Sequence, residues 1–383
     1  MKNIWHFPTW YPHRHNMSLG SFVKKQILAA ASFSRQIVFF VFEDSKIQKD
    51  FEITIHQVGN VMEIYVAFYP SKTKFGTLRK KKKAYQMAIK EVVEKNYLPN
   101  FIHAHSISFA SFFGQKTANK YQIKWFLSEH WSGFLPASNG FGRMPFYKKK
   151  IWLNHANQAN QIISISETLK KAMIQCGITK SNYKIIPNVV EGLAPQEQTN
   201  RNKEFNEVND FIFLNVSDMV DEIKNVSGVI RVFNQLWKTN KTIQLWLIGD
   251  GVDLSHLINM TEQLPCNKSI KFFGRLSPDE VLELYPQINT TIINSRYETF
   301  SVVAAESIYA GKPLIATRCG GPEEFITKNQ GILITTNNDQ ELLSAMKTMI
   351  SSSDNYIPTT LHQYINEKFS SQVISDKFKE LYR

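Results

Sequence analysis

Three shortages bound what this 383-residue chain can be. Cysteine is scarce: Cys176, Cys266 and Cys319 are odd in number and far apart. They lack the paired spacing of a zinc site or a disulfide framework and read as ordinary buried thiols. Long hydrophobic runs are missing. The longest, such as Ile37 to Phe42, reach about a third of the roughly 20 residues that cross a bilayer, so no transmembrane helix is expected. Acidic residues are short in the first half, where residues 1–194 carry 27 Lys and Arg against 10 Asp and Glu; the remainder has 18 against 23. The net charge of +12 is therefore +17 in the first half set against −5 in the second. Met1 to Pro12 places His6, Pro8 and Pro12 where a signal peptide needs a basic end and an apolar stretch. Export is not expected, and the cytoplasm is the expected location.

What is present is a folded globular protein, with 43% hydrophobic and 20% charged residues; a mainly disordered or fibrous chain is excluded. The length suggests two domains. Short β-rich runs at Asn3–Phe7, Ile37–Phe42, Phe101–His105, Lys124–Ser128, Gln161–Ser166 and Lys184–Ile186 alternate with helical patterns, as in an α/β fold with parallel sheets. Gly192 to Asp210 turns polar and loses periodicity. We read residues 1–194 as a first domain, 195–209 as a linker and 210–363 as a second domain. The second has its own alternating series from strand Phe211–Val216 through strand Pro313–Thr317 to a helix at Glu341–Ile350. Tyr364 to Tyr382 reads as one amphipathic helix, with residues 364–383 free to pack back on the first domain. Two doubly wound, Rossmann-like domains imply a cleft at the carboxyl ends of their strands, where such folds bind ligands.

The basic excess is concentrated at Lys72, Lys74, Arg79, Lys80, Lys81, Lys82 and Lys83, with a second cluster at Lys148 to Lys150. Such a face attracts anionic lipid head groups or phosphorylated substrates; the plainer reading is a solvated helix end. Nucleic acid is not expected as a partner, because no nucleic-acid-binding module accompanies the charge. No paired-carboxylate or clustered His/Asp metal signature is apparent.

The most informative stretch runs from Ser295 to Pro313 and reads as strand, loop, helix, glycine stop and next strand. Glu298 lies in the loop, Thr299 or Ser301 is placed to cap the helix, and the free N–H groups of the first turn form an anion site. Glu306, one to two turns in, can accept hydrogen bonds from a pair of ribose hydroxyls. Taken alone, the stretch also fits a surface helix with two solvated acids. Downstream, Gly320 and Gly321 permit close backbone approach, and Pro322 suits the first position of a second helix. Among the histidines, His130 follows a strand end and opens an aromatic loop. His103 and His105 stand two apart on one strand, and one of them is expected to face the core.

These residues resemble the retaining glycosyltransferases of the GT-B fold, specifically family 4, whose signature is two glutamates separated by seven residues. Glu298 and Glu306 have that spacing, with Phe300 between them and Gly311-Lys312-Pro313 and Gly320-Gly321-Pro322-Glu323 following in the family's order. The resemblance covers nearly the whole chain. It implies that Gly20 lies near the donor diphosphate, that His130 approaches the donor sugar, and that Gly274, Arg275 and Leu276 hold the base through backbone contacts. It further implies donor contacts at Thr299, Phe300, Ser301, Glu306, Gly320 and Gly321, with Glu298, Lys224 and His130 acting at the reaction centre. One departure stands out: the family usually holds the diphosphate with an Arg followed by a Lys after the first donor-domain strand, and here Asp218 stands where the arginine is expected, with Lys224 one residue further on. Arg318, Arg296 and Arg275 are the cations able to compensate.

The expected activity is metal-independent, retaining transfer of a hexose from a nucleotide-diphosphate sugar, with no other cofactor. The acceptor is expected to be a hydroxyl of a lipid-linked or polysaccharide chain in cell-surface glycan assembly. Lys80 to Lys83 would then form the acceptor or membrane face, and the protein would be peripheral on the inner face of the membrane. A sugar-nucleotide epimerase of the same fold, or a non-catalytic nucleotide-sugar-binding protein, are the alternatives.

Overall fold

The computed structural model describes residues 1–179, 182–195 and 210–383. Apart from Pro195, the expected linker lies outside the described residues. The chain divides into two compact units. The first comprises Met1–Phe134, Asn139–Val189 and Ser371–Arg383, and the second Leu135–Ser138 and Val190–Ser370.

The first unit is built on an eight-stranded sheet. Its strands are β1 (Asn3–Pro8), β2 (Arg35–Glu43), β3 (Phe51–Val58), β4 (Val61–Phe68), β5 (Phe101–His105), β6 (Trp125–Glu129), β7 (Gln161–Ser164) and β8 (Tyr183–Ile185). Their order is β3-β4-β2-β1-β5-β6-β7-β8, parallel throughout except for the antiparallel pair β3–β4. Central strands are covered on both faces and so read as continuous apolar runs: Trp5 and Phe7 of β1 are fully buried and pack on Phe39 of β2. The β3–β4 hairpin was not anticipated. A two-residue turn at Gly59-Asn60 makes it, with Gly59 at φ +55°.

Helices α1 (Ser21–Ala30), α2 (Lys74–Glu94), α3 (Phe109–Tyr121), α4 (Phe146–Asn157) and α5 (Glu167–Gln175) cross between the strands. Thr73, Ser108 and Ser166 cap α2, α3 and α5 through their side-chain oxygens. The expected single C-terminal helix is two. The chain turns extended at Ser370 (ψ 157°) between helices Pro358–Phe369 and Ser371–Leu381. In the second of these, Ile374, Phe378 and Leu381 enter a cluster with Ile4, Ala29 and Ile163 of the first unit.

The second unit carries a six-stranded, all-parallel sheet ordered β11-β10-β9-β12-β13-β14. The strands are β9 (Phe211–Val216), β10 (Ile243–Ile248), β11 (Ile270–Gly274), β12 (Thr290–Ile293), β13 (Leu314–Thr317) and β14 (Gly331–Ile334). Its helices are α6 (Asp221–Lys224), α7 (Val226–Trp237), α8 (Leu254–Glu262), α9 (Pro278–Leu284), α10 (Val302–Tyr309), α11 (Asp339–Ser352) and α12 (Pro358–Phe369). The order reverses between β9 and β12, so the loops after those two strands are neighbours, which is where an open α/β sheet places a ligand.

Candidate functional site

In the second unit the loops leaving β9, β12 and β13 are stitched into one structure. Asn294 Nδ2 donates to the Asn225 carbonyl at 3.0 Å, and the Arg296 N–H donates to the Ile223 carbonyl at 2.7 Å. The Glu298 N–H donates to the Cys319 carbonyl at 2.8 Å, and the Gly321 N–H donates back to the Glu298 carbonyl at 2.9 Å. The backbone of Glu298 is thereby fixed against the Gly320 loop, with which it forms a parallel bridge.

Its side chain meets Lys224, from the far end of the β9 loop, with Nζ 2.6 Å from Oε1; Ser295 Oγ donates to the same oxygen at 2.8 Å. Both side chains are mostly buried, at 21% and 15% exposure. Burial alone would lower the Lys224 ammonium, but the Glu298 carboxylate, with Asp218 behind it, outweighs burial and leaves it raised above its ordinary value. Of the three candidate compensating arginines, Arg296 is committed to structure: Nη1 donates to the carbonyls of Asp221 and Glu222 and Nε to Asn337. Arg275 pairs with Asp250 at 3.7 Å, and Arg318 only at 3.9 Å with Glu323.

Several expected contributions change in kind. Among the described residues no side-chain cap is made on α10: Ser301, at its N-cap position, sits at φ +66° with no cap bond to the first-turn N–H groups. The second helix expected after Gly320 is a single 3₁₀ turn, Gly321–Glu324, and the Gly320 N–H already donates to Glu323. Gly321 is needed for a packing reason, since a Cβ there would lie 2.4 Å from the Phe300 nitrogen. The Phe300 ring is buried against Phe325 and Phe369, so only its backbone can reach a ligand. Gly274, at φ +68°, faces open space beside exposed Arg275 and half-buried Leu276. Glu306 lies on α10, within electrostatic range of the buried Tyr285 phenol.

In the first unit, Gly20 precedes α1 at φ +64°, and a Cβ there would meet the Trp10 carbonyl carbon at 2.4 Å. The tight approach of the β1–α1 loop is therefore a sufficient reason for glycine. His130 follows β6, buried between Phe22 and His105 (ring centroids 5.0 and 6.0 Å) with neither ring nitrogen hydrogen-bonded. Burial pushes it down to about 3, leaving a neutral imidazole. The buried Glu129 before it accepts from the backbone N–H groups of Ile107, His130 and Trp131 and so ties the loops after β5 and β6 together. Sequence reasoning passed over Glu129, whose only signal was its place directly before His130.

Two further expectations are corrected. His103 and His105 face the same way, because residues two apart on a strand share a face. Their rings stack at 4.4 Å, and His6 of β1 joins them. The three offer nitrogens within 4.8 Å of one another, a histidine cluster that sequence spacing hid. Most of those nitrogens are already engaged: His6 with His105 and Gln36, His103 with Tyr382 and Ser128. Of Lys80 to Lys83, Lys80 pairs with Asp50 and Lys81 reaches Glu43, while Lys82 and Lys83 are exposed, Lys83 with its ammonium over the Phe51 ring. The exposed basic and apolar groups toward the start of α2 also include Lys74, Phe75, Leu78 and Arg79.

The comparisons agree with this architecture. Residues 36–191 match the model of glycosyltransferase family 4, and residues 196–368 that of glycosyl transferases group 1. An uncharacterized glycosyltransferase of Methanocaldococcus jannaschii is 22% identical over 235 residues, 58% of this chain and 60% of the relative. The lipopolysaccharide core biosynthesis glycosyltransferase LpsD of Rhizobium meliloti is 26% identical over 171 residues, 42% of this chain and 46% of that protein. The matches span less than two thirds of either relative. The structure of Anabaena HepE in complex with UDP and glucose superimposes with a TM-score of 0.75 at 18% identity, over 100% of this chain and 99% of that one. With both halves matched in order and the fold shared, the chain belongs to the GT-B glycosyltransferases of group 1.

Proposed function

We propose that the protein is a retaining glycosyltransferase that moves a hexose from a nucleotide-diphosphate sugar to a hydroxyl of a glycan or lipid-linked acceptor in cell-surface glycan assembly. The observation that carries this reading is the Lys224–Glu298 pair, fixed on the stitched loops beside the uncapped start of α10. Lys224 and the first-turn N–H groups would stabilise the charge that develops on the departing diphosphate. Arg318, the least committed of the candidate cations, would offset Asp218. Glu298 would accept a hydroxyl of the sugar and Glu306 those of the ribose, while neutral His130 would offer a hydrogen bond without adding charge. By likeness to the family, the acceptor attacks from the face the diphosphate leaves, and the leaving phosphate takes the acceptor's proton, with no metal required. HepE is described with UDP and with UDP-glucose, which makes a uridine nucleotide the first donor to test; LpsD supports the pathway by its name.

Membrane association is part of the proposal. Phe75 and Leu78 stand exposed among Lys74, Arg79 and Lys82, which suits an interface of anionic head groups and acyl chains. The test of activity is release of UDP from UDP-hexoses with and without candidate glycan acceptors, with the product anomer read by NMR. Acceptor-dependent release with the donor's anomeric configuration kept supports the proposal. An inverted product overturns the retaining mechanism. Tight nucleotide binding without release favours the binding-protein alternative, for which Asp218 is the specific observation.

A further inference from the structure

A cavity of about 280 Å3 opens in the first unit where the β3–β4 hairpin meets the loop between β1 and α1. Its floor follows from strand alternation. Glu52, Thr54 and His56 of β3 stand opposite Ala67, Tyr65 and Glu63 of β4 and point to one face. Phe42, at the end of β2, and Arg14 and Lys24 complete the walls.

The charges within it cancel. Lys24 Nζ lies 2.8 Å from Glu63 Oε1, which also accepts the Tyr11 hydroxyl at 2.6 Å. Arg14 pairs with Glu52 and donates through Nε at 2.8 Å to buried Asp44. An anion entering the cavity would meet the carboxylates, and a cation would meet Arg14 and Lys24, so neither sign is favoured. Hydrogen-bonding capacity remains chiefly on exposed Glu52, because a carboxylate offers about four lone-pair sites and Arg14 occupies only part of them, whereas Glu63 already meets Lys24, Tyr11 and Tyr65. Buried His13 Nδ1 has no partner. Apolar faces are supplied by Phe42, 4.7 Å from the His13 ring, and by Tyr65, 5.5 Å from His56. The volume, about 280 Å3, falls just below the ~300–1,000 Å3 range of small-molecule sites, enough for one ring.

We propose that this cavity binds one neutral hexose residue of the acceptor glycan, its hydroxyls donating chiefly to Glu52 and its C–H face lying against Phe42 or Tyr65. The assignment to an acceptor rests on the transferase reading above; the binding of a neutral sugar rests on the cavity alone.

Saturation-transfer NMR on the whole protein tests it, with the methyl glycosides of glucose, galactose and mannose as probes and glucose 1-phosphate and glucosamine as charged counterparts, each with and without UDP. Thr54→Trp fills the cavity, and His56→Ala trims an exposed wall without touching the core; thermal unfolding checks that both fold. We expect a neutral glycoside to give a signal that survives UDP and Glu306→Ala and is lost in both cavity variants. No signal from any neutral glycoside, a stronger one from glucose 1-phosphate, or one indifferent to both variants overturns the proposal. If UDP fails to bind in a parallel melting experiment while the glycoside signal persists, the transferase reading falls and the sugar site stands. If UDP binds and no glycoside does, only the cavity proposal falls.

Discussion

Mild acid should unfold the first unit through its buried histidines. Burial pushes His6 and His155 down to about 4, from an ordinary value of 6.5, and His130 to about 3; for His6 the hydrogen bond to Gln36 opposes this only in part. His103 and His105 are also held well below their ordinary value, first by burial and then by neighbouring imidazoles. Each of these groups binds a proton more readily in the unfolded chain. Their contribution is therefore fully present above about pH 6.5 and is lost as the pH falls toward the folded values. For a group moving from 6.5 to about 4, the loss at pH 5 is about 2 kcal/mol. His6, His130 and His155, taken as independent, would together lose about 6 kcal/mol. Buried Glu129, raised by desolvation, works the other way as it protonates. Since a domain of this size has about 5–15 kcal/mol in total, the unit should be close to unfolding at pH 5. Urea titrations read by tryptophan fluorescence report mainly on it, because Trp5, Trp10, Trp125, Trp131 and Trp152 all belong to it. With a slope of about 2 kcal/mol per molar urea, the histidines alone would lower the midpoint by about 3 M between pH 7.5 and pH 5, and Glu129 offsets part of that. A drop below about 0.5 M would refute the claim that these imidazoles are held neutral by burial.

Other predictions follow from the same contacts. Lys224→Met leaves the Glu298 carboxylate without its cation and should cost about 2 kcal/mol in the second unit, below the ~3–5 of a fully buried pair, while abolishing nucleotide-stabilised melting; Lys224→Arg should restore part of both. Gly321→Ala drives a Cβ into the Phe300 backbone and should destabilise by about 3 kcal/mol, visible as a lowered melting temperature. Phe75→Glu together with Arg79→Glu and Lys82→Glu should abolish binding to vesicles containing phosphatidylglycerol at low salt and spare nucleotide binding. Unchanged vesicle binding would make the exposed face of α2 a solubility feature only.

The parallel strands and the stretch from Glu298 to Gly321 were legible because they are local: buried β-branched runs bounded by turn residues, and a loop and helix within 24 residues. What escaped depends on pairing between distant segments. The β3–β4 hairpin escaped because β3 lies at the sheet edge and is largely exposed, which blurs its apolar alternation despite the Gly59-Asn60 turn. The histidine cluster needs β1 and β5 side by side, although 97 residues separate His6 from its partner His103. Lys224 and Glu298 are 74 residues apart and meet only because the sheet order reverses between β9 and β12. The break at Ser370 escaped because the helices on either side of it are both amphipathic, and composition alone joins them.

The central claim is that the stitched loops of the second unit hold a nucleotide-sugar donor. The most direct measurement is the melting temperature of the protein with UDP, GDP, ADP and their common hexose conjugates, alongside Glu306→Ala. At a hundredfold excess over Kd, binding adds about 2.7 kcal/mol, which is several degrees for a unit of this size. The account predicts such a shift for one nucleotide family and its loss in Glu306→Ala. No shift with any of them, or an equal shift in the variant, would contradict it.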